Sequence, residues 1–300
     1  MQKIMTDSLL PDDITAVYRI MINLIYGRVS NHYLKERRLD IMGSSRNAEI
    51  FEETFNLCKN EPALRRSILD SIERQDIVLS DRDVAVEKER SLKTTVELIA
   101  ARCIEATVAL EGRTCVLNFA NYYRPGGGVR GGAAAQEEAI CRVTTLYPCI
   151  SSDRPKELFY NPHWKEDNLA SNDLIYTPDV VVIREDTEGM DLLPPDMRYN
   201  IDVITCAAPV YSGQDKGFMS VLFEKRFDRI MDAASAHDVD NIILGAFGCG
   251  VFGNDPRIVA EAAKRSSEKH MGLFRRIIFA VPQGGNNYAQ FGKVFQAGNG

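Results

Sequence analysis

A glycine-rich segment closely followed by two glutamates is the part of this sequence best suited to chemistry. Residues 125–138 read PGGGVRGGAAAQEE, in which three consecutive glycines precede the adjacent carboxylates of Glu137 and Glu138. Glycine adopts positive φ and lets backbone N–H groups approach an anionic ligand closely. Paired carboxyl groups suit the proton transfers of glycosidic-bond hydrolysis. The segment therefore predicts a site that cleaves a glycosidic bond, and its glycines are Gly126, Gly127 and Gly128.

The sequence on either side of the glycines predicts a strand followed by a helix. Residues 116–120 read VLNFA, typical of a buried strand, and residues 135–147 have the pattern of a helix. The glycines then lie where helix N–H groups attract anions. Gln136 and the two glutamates fall in the first helical turn.

Each feature taken alone also has a purely structural interpretation. Glutamate in a first turn compensates the helix dipole, and glycine clusters form ordinary turns. Their combination at short spacing favours a ligand site. The first glycine segment does not follow its strand directly, as the glycines of a dinucleotide-binding fingerprint do, and no lysine followed by Ser or Thr closes it, so hydride and phosphoryl transfer are disfavoured.

A second glycine-rich segment, LGAFGCGVFGNDP over residues 244–256, follows another apolar strand. Asp255 is a predicted N-cap with Pro256 at the first helical position. Ligands of open α/β sheets collect at the carboxyl ends of strands, so the two segments can converge on one diphosphate. A tight turn with a core phenylalanine is the structural alternative, and the cysteine is interpreted as a small buried residue. The predicted binding residues here are Gly248, Cys249, Gly250, Val251 and Phe252.

Composition limits the class of protein. The chain has 300 residues, of which 45% are hydrophobic and 26% charged. Its net charge of −6 argues against non-specific binding to the phosphates of nucleic acids. The apolar run 14–29 is interrupted by Arg19 and Asn23 and predicts an amphipathic helix rather than a membrane span. Seven cysteines without a CxxC pair suit reduced thiols in a cytoplasmic protein, and four scattered histidines predict no metal site. We expect a monomer that contacts no membrane and reads no nucleic-acid sequence.

Short apolar strands alternating with helices predict an α/β protein with a mostly parallel or mixed sheet covered on both faces. Residues 1–75 are expected to form an N-terminal helical extension, with Ser45 as a possible N-cap, and residues 76–300 the catalytic domain. A long ordered loop is expected over 148–173. The predicted strands are 77–79, 115–120, 174–177, 180–184, 201–209, 241–247 and 276–281, and the later helices are 91–109, 136–147, 216–237, 255–270 and 287–296.

These motifs resemble the bacterial-type poly(ADP-ribose) glycohydrolases of the macrodomain superfamily. Their signature is GGG, six to eight residues, then QEE, which matches 126–128 and 136–138. TTLYPCI, YTPDVVVIRED, ITCAAP and the second glycine segment also resemble family segments in the same order. RNAEIFEETF resembles the helical region before the domain, so the likeness runs from about residue 45.

The resemblance implies a three-layer α/β/α macrodomain-like fold with a mixed central sheet, and a terminal ADP-ribose site without metal or cofactor. Glu138 would act as acid and then base, and Glu137 would hold ribose hydroxyls. Gln136 would support the loop, and Asn118 would reach the ligand from the strand end. The glycines of 126–128 would approach the reacting ribose and residues 248–252 the diphosphate, in an enzyme connected with ADP-ribosylation in the DNA damage response.

Two other functions remain open from the sequence. A non-catalytic ADP-ribose-binding domain would keep both glycine segments but would not need Glu138. A hydrolase of mono-ADP-ribose on protein or nucleic acid would use the same pocket with another leaving group. For any enzyme of this kind, the adjacent glutamates are expected to titrate as a coupled pair. The N-terminal helices, which carry no chemical motif, are expected to be a packing layer or partner surface.

Overall fold

A seven-stranded mixed sheet organises the computed structural model, which describes residues 44–84, 90–163 and 169–296. The helix predicted over 14–29 lies outside these residues. The strand order is β1-β4-β5-β3-β6-β7-β2. The strands are β1 Asp76–Val78, β2 Thr95–Ile99, β3 Thr114–Phe119, β4 Leu174–Val182, β5 Tyr199–Cys206, β6 Asn241–Leu244 and β7 Arg276–Ala280.

Five neighbouring strands run parallel, from β5 through β3, β6 and β7 to β2. Strand β4 is antiparallel to β5, and β1 is antiparallel to β4. The carboxyl ends of β5, β3 and β6 therefore meet at one edge of the sheet, where an α/β protein of this kind binds its ligands.

Helices cover both faces of the sheet. The longer ones are α1 Ser45–Asn60, α2 Pro62–Glu73, α3 Gln136–Val143, α4 Leu146–Ile150, α5 Lys216–Ala236, α6 Pro256–Lys269 and α7 Asn286–Gln296.

Alternate residues of each parallel strand point into two separate cores. On β3, Cys115 and Leu117 pack with Phe223 and Phe227 of α5, whereas Val116 packs on the other face with Phe51 of α1. Such apolar residues on both faces are typical of a covered parallel sheet. The predicted α/β class, with a mixed sheet between two helical layers, is confirmed. The division at residue 75 stays a prediction. In the described residues, no helix is long and apolar enough to cross a bilayer.

Three predicted elements were wrong. The helix expected over 91–109 is instead the edge strand β2 followed by a short turn of helix, Glu105–Thr107. Hydrogen bonds to β7, which a single sequence does not reveal, outweigh helix propensity there. The loop expected over 148–173 contains the end of α4 and the helical turns Asp153–Pro155, Lys156–Tyr160 and Asn161–His163.

The two strands expected at 174–177 and 180–184 are one strand, β4, with an irregularity in its register between Thr177 and Val180. Pro178 lacks an N–H and Asp179 has φ +52°, so this point cannot continue the regular ladder. The N-cap of α1 is Ser44 rather than Ser45, because the Ser44 hydroxyl accepts from Asn47 N at 3.1 Å. The predicted cap at Asp255 and start at Pro256 are confirmed.

Candidate active site

Three loops follow the carboxyl ends of the adjacent strands β5, β3 and β6 and contact one another. The Phe119 ring at the end of β3 lies 5.3 Å from the Phe247 ring after β6. Asn254 Nδ2 donates to the Pro209 carbonyl at 2.7 Å, which joins the loops after β6 and β5. Tyr211 N donates to the carbonyl of Phe252 at 2.9 Å. The two glycine segments therefore belong to one edge of the sheet, as the sequence predicted.

Glu137 is 3% exposed, and its carboxylate organises the loop after β3. It accepts hydrogen bonds from Asn121 N at 2.7 Å, Gly126 N at 3.1 Å and Asn118 Nδ2 at 3.4 Å. Burial, and then the neighbouring charge of Glu138, raise the pKa of the Glu137 carboxyl well above its usual value. The predicted contact of Glu137 with ribose hydroxyls stays a prediction, since its oxygens bind the protein here.

Glu138 lies against the glycines through one oxygen. Its Oε1 accepts from Gly128 N at 2.9 Å. Gly127 has φ +55°, and a Cβ at that position would be 2.4 Å from the same Oε1. Only glycine fits there, because a side chain would need both a strained backbone and the space that the carboxylate occupies. The three-glycine run is thus shaped by the glutamates that follow it.

Gln136 and Asn118 join the glutamates to the sheet. Gln136 Oε1 accepts from Phe119 N at 2.8 Å, and its Nε2 donates to the Leu117 carbonyl at 2.7 Å. Gln136 therefore supports the loop through the end of β3, not through the glycines. Asn118 is fully buried and donates to Thr205 Oγ1 at 3.2 Å as well as to Glu137. Its predicted direct contact with ligand stays a prediction.

The two glycines of the second glycine loop differ in the space beside them: neighbouring atoms lie where a side chain on Gly248 would be, whereas the space beside Gly250 is open. Gly248 has φ +74°, and a Cβ there would lie 2.7 Å from the Cβ of Ala208 and 2.8 Å from Asn254 Nδ2. A Cβ on Gly250 would meet no heavy atom within 4 Å. Val251 is 44% exposed, and Phe252 packs partly against the core. Of the two glycines, only Gly250 offers free space of the kind that a bound phosphate needs.

Cys249 lies in a turn of this loop. Its amide donates to the Ala246 carbonyl at 3.1 Å and closes a turn, and the predicted contact of Cys249 with the diphosphate stays a prediction. Its thiol is buried 3.6 Å from the Phe247 carbonyl, and burial raises its pKa, which suits a buried residue rather than a nucleophile.

Sequence reasoning missed several residues that shape the site. Asn121 Oδ1 accepts from the N–H groups of Tyr123 and Arg124, each at 3.0 Å, and so holds the turn that presents Asn121 N to Glu137. An asparagine directly after a strand is a recognisable signal for such a turn. Tyr147 packs against Gly126, where a Cβ would lie 2.6 Å from its ring, and no local pattern indicates that contact.

This arrangement is suited to acid–base chemistry on a bound sugar. One carboxylate is committed to the loop and the second lies beside it at the glycines, so that the pair provides a fixed frame and a group able to transfer a proton. Within the described residues, no group of three or more His, Cys, Asp or Glu side chains could hold a metal ion.

Comparison with known proteins identifies the proteins that this chain resembles. Residues 44–185 match the model of the microbial-type PARG catalytic domain. The structure of poly(ADP-ribose) glycohydrolase from Thermomonospora curvata aligns with a TM-score of 0.73 at 26% identity, over 84% of this chain and 100% of that one. Its complex with the inhibitor ADP-HPD gives 0.72 at 26%, over 83% and 99%.

The poly(ADP-ribose) glycohydrolase of Deinococcus radiodurans, in complex with ADP-ribose, aligns with a TM-score of 0.68 at 26% identity, over 77% of this chain and 97% of that one. No curated protein sequence matches the chain significantly. The family match covers the first glycine loop and both glutamates, and the structural matches extend over most of the sheet. These matches confirm that the chain resembles the bacterial-type poly(ADP-ribose) glycohydrolases, as its motifs predicted.

Proposed function

We propose that this protein is a glycosidase that hydrolyses the terminal ribose–ribose O-glycosidic bond of poly(ADP-ribose) and releases ADP-ribose. The observation that carries the proposal is the position of Glu138, whose carboxylate is fixed against Gly127 and Gly128 beside the buried Glu137. A ribose bound over the glycines would place its anomeric carbon next to a proton-transferring group.

Glu138 has two successive tasks in this reaction. As an acid, it gives its proton to the oxygen of the leaving ribose while the bond from that oxygen to the anomeric carbon breaks and positive charge grows on the carbon. As a base, it then takes a proton from the water that forms the new carbon–oxygen bond. The carboxyl group ends protonated, as it began.

The second glycine loop provides the site for the diphosphate. Gly250 leaves open space at the edge of the sheet, and the positive φ of Gly248 turns the backbone there. Phe252 is available to pack against the ribose. No ionised side chain is required for this contact, because backbone N–H groups alone bind phosphate oxygens.

Product analysis tests the proposal. Purified protein is given poly(ADP-ribose), mono-ADP-ribosylated protein and ADP-ribosylated DNA in parallel, with Glu138→Gln as the inactive control. We expect ADP-ribose to be released from the polymer by the wild type alone. Release only from mono-ADP-ribosylated protein or DNA would assign a different leaving group, and binding without any release would indicate an ADP-ribose-binding module.

The setting of this activity is also a proposal. Seven cysteines among the described residues are buried and unpaired, which supports a reducing, cytoplasmic location. We place the enzyme there as a monomeric macrodomain that removes ADP-ribose polymers formed in the response to DNA damage. Light scattering of the purified protein tests the oligomeric state, and fluorescence of a tagged full chain tests the location.

A further inference from the structure

Helix α1 lies directly against the far end of the first glycine loop. Gly132 has φ +77°, and a Cβ there would be 2.2 Å from the Ser44 carbonyl oxygen and 3.2 Å from Ala48 N. Asn47 Nδ2 donates to the Gly132 carbonyl at 3.1 Å. Because the backbone of Gly132 packs directly on the backbone of α1, no side chain lies between them that could rearrange if either one moved. The position of the loop therefore depends on the position of the first turn of α1.

Arg130 connects the same loop to the middle of α1. Its Nε donates to the Tyr147 hydroxyl at 3.1 Å, and its Nη1 donates to Glu52 Oε1 at 3.2 Å. The guanidinium carbon lies 5.0 to 5.7 Å from the ring centres of Phe51, Phe55 and Tyr147. Exposed cation–π and ion-pair contacts contribute little to the stability of a fold, so the main effect of Arg130 is on the position of the loop.

Tyr147 links Arg130 and α1 to the glycine backbone and, through that backbone, to the Glu137 carboxylate. A Cβ on Gly126 would lie 2.6 Å from the Tyr147 ring, so the ring is in close contact with the glycine backbone. The N–H of Gly126 in turn donates to Glu137 at 3.1 Å. The Phe51 ring meets the Tyr147 ring edge-on at 5.0 Å, which fixes the tyrosine from the side of α1.

Helix α1 also contacts the end of the helix that carries the glutamates. Thr54 Oγ1 donates to the Arg142 carbonyl at 2.7 Å, in the last turn of α3. Arg142 Nη1 donates to the Ala133 carbonyl, between the glycine loop and α3. One helix therefore touches both partners whose relative position defines the site, the loop and α3.

From these contacts we infer that α1 holds the glycine loop in register with the Glu137–Glu138 pair, and that Arg130 is the positioning residue that carries this coupling. The inference rests on the proposed function for its kinetic consequence. The N-terminal helical region would then help to position the catalytic groups, although it contains no motif that indicates such a role. Arg130 has no hydrogen bond to Glu137 or Glu138 among the described contacts and, by this inference, does not touch the reacting atoms; it acts through Tyr147 and the loop.

The test compares Arg130→Met with Arg198→Met in the full chain. Methionine keeps an apolar stem of similar length but cannot donate. Arg198 makes the matched control because it also pairs with a glutamate of the N-terminal helical region, Glu61, at 2.7 Å. It precedes β5 at the opposite edge of the sheet from the glycine loop.

We expect Arg130→Met to lower kcat roughly tenfold with little change in KM, because a small displacement of a catalytic group costs far more in rate than in binding. Arg198→Met should keep the wild-type kcat even if its Tm falls equally. Arg130→Lys, which retains a cation over the rings, should recover part of the rate.

Hydrogen exchange of the Gly126 and Gly128 amides gives a second readout that needs no turnover. These amides should exchange faster in Arg130→Met and unchanged in Arg198→Met. Equal kcat and equal exchange in the two variants would overturn the inference. If the wild type releases no ADP-ribose, the proposed function fails, whereas the exchange comparison still decides whether Arg130 holds the loop.

Discussion

Two glutamates adjacent in sequence have different surroundings in this protein. Both oxygens of Glu137 accept hydrogen bonds from the protein, whereas Glu138 accepts from Gly128 N through Oε1. Successive residues of a helix point about 100° apart, so the pair divides between the loop interior and the glycine surface. This difference determines what substitution of each residue should do.

Glu138→Gln is expected to abolish glycohydrolysis while leaving ADP-ribose affinity within about tenfold, or about 1.4 kcal/mol. The amide keeps an oxygen that can accept from Gly128 N but cannot transfer the proton. Turnover assays measure the loss of activity, and calorimetry with ADP-ribose separately measures the affinity. Near-normal turnover in this variant would remove Glu138 from the chemistry.

Glu137→Gln should instead destabilise the protein by about 1–3 kcal/mol, because the amide NH2 group cannot accept from a backbone N–H that now donates to a carboxyl oxygen, whereas that oxygen can accept whether or not the carboxyl is protonated. The loss should be largest in acid. The pKa of Glu137 in the folded protein is raised above the ordinary 4.5, so the folded state keeps this proton at a pH where the unfolded state has lost it. The wild type therefore loses stability as pH rises from 4.5 through the pKa of the folded state.

Urea unfolding of both proteins at a series of pH values measures this gap. The wild-type advantage should shrink as pH rises above 4.5. An advantage that grows over the same range would mean that the hydrogen bonds to Glu137 outweigh its burial and lower its pKa.

At the scale of elements, α3 is short and depends on its neighbours. It spans Gln136–Val143, and no side chain caps its start. The side-chain hydrogen bonds of Gln136 to β3 and of the two glutamates to the loop hold this first turn in place instead. The helix stops before Thr144, which bridges to Val182 of β4, and the chain then turns into α4 and brings Tyr147 beneath the glycines.

Gly250→Val tests the second glycine loop. The added side chain should weaken ADP-ribose binding without lowering Tm, because a Cβ at this position meets nothing in the protein and would occupy the space assigned to phosphate. Calorimetry and thermal unfolding measure the two effects. Unchanged affinity in a folded variant would exclude this loop from the site.

Gly248→Ala serves as the contrasting variant for that loop. The left-handed φ and the contact with Ala208 should lower its Tm whether or not ligand is bound. A Gly248→Ala protein as stable as the wild type would show that the loop can move to accommodate a side chain. A loss of affinity in Gly250→Val would then not identify the space beside Gly250 as the phosphate site.

At the scale of the whole molecule, the helices before residue 75 are tied to the catalytic residues rather than simply placed beside them. Phe51 is fully buried in the core that also holds Ile140 of α3. Arg184, at the end of β4, donates to Thr54 Oγ1 at 2.9 Å. Removal of these helices would therefore open one face of the sheet and release the loop together.

Two truncations separate these roles. Deleting residues 1–40 should leave kcat and Tm near their wild-type values, because Ser44 and the residues after it already provide the described contacts that hold α1 to the site. Deleting residues 1–75 should lower Tm and kcat together, since it removes both the Phe51 contacts and the support of Gly132. Assays and thermal unfolding of both fragments check this. A fully active 76–300 fragment would contradict the positioning role of α1.

The sequence by itself determined the chemistry and the class of fold. Gly127 and the glutamates are recognisable because a left-handed backbone at a carboxylate demands glycine, and this constraint is local. The apolar runs predicted most of the parallel strands for a similar reason, since a strand covered on both faces has few places for polar residues.

Tertiary structure alone decided how those parts are held. Arg130 and Glu52 are 78 residues apart, and Gln75 donates to Thr177 Oγ1 across 102 residues. No periodicity or motif encodes such pairs, because they exist only once the sheet has brought distant segments together. For the same reason the sequence predicted a helix where β2 lies and gave no indication of the contact between α1 and the glycine loop.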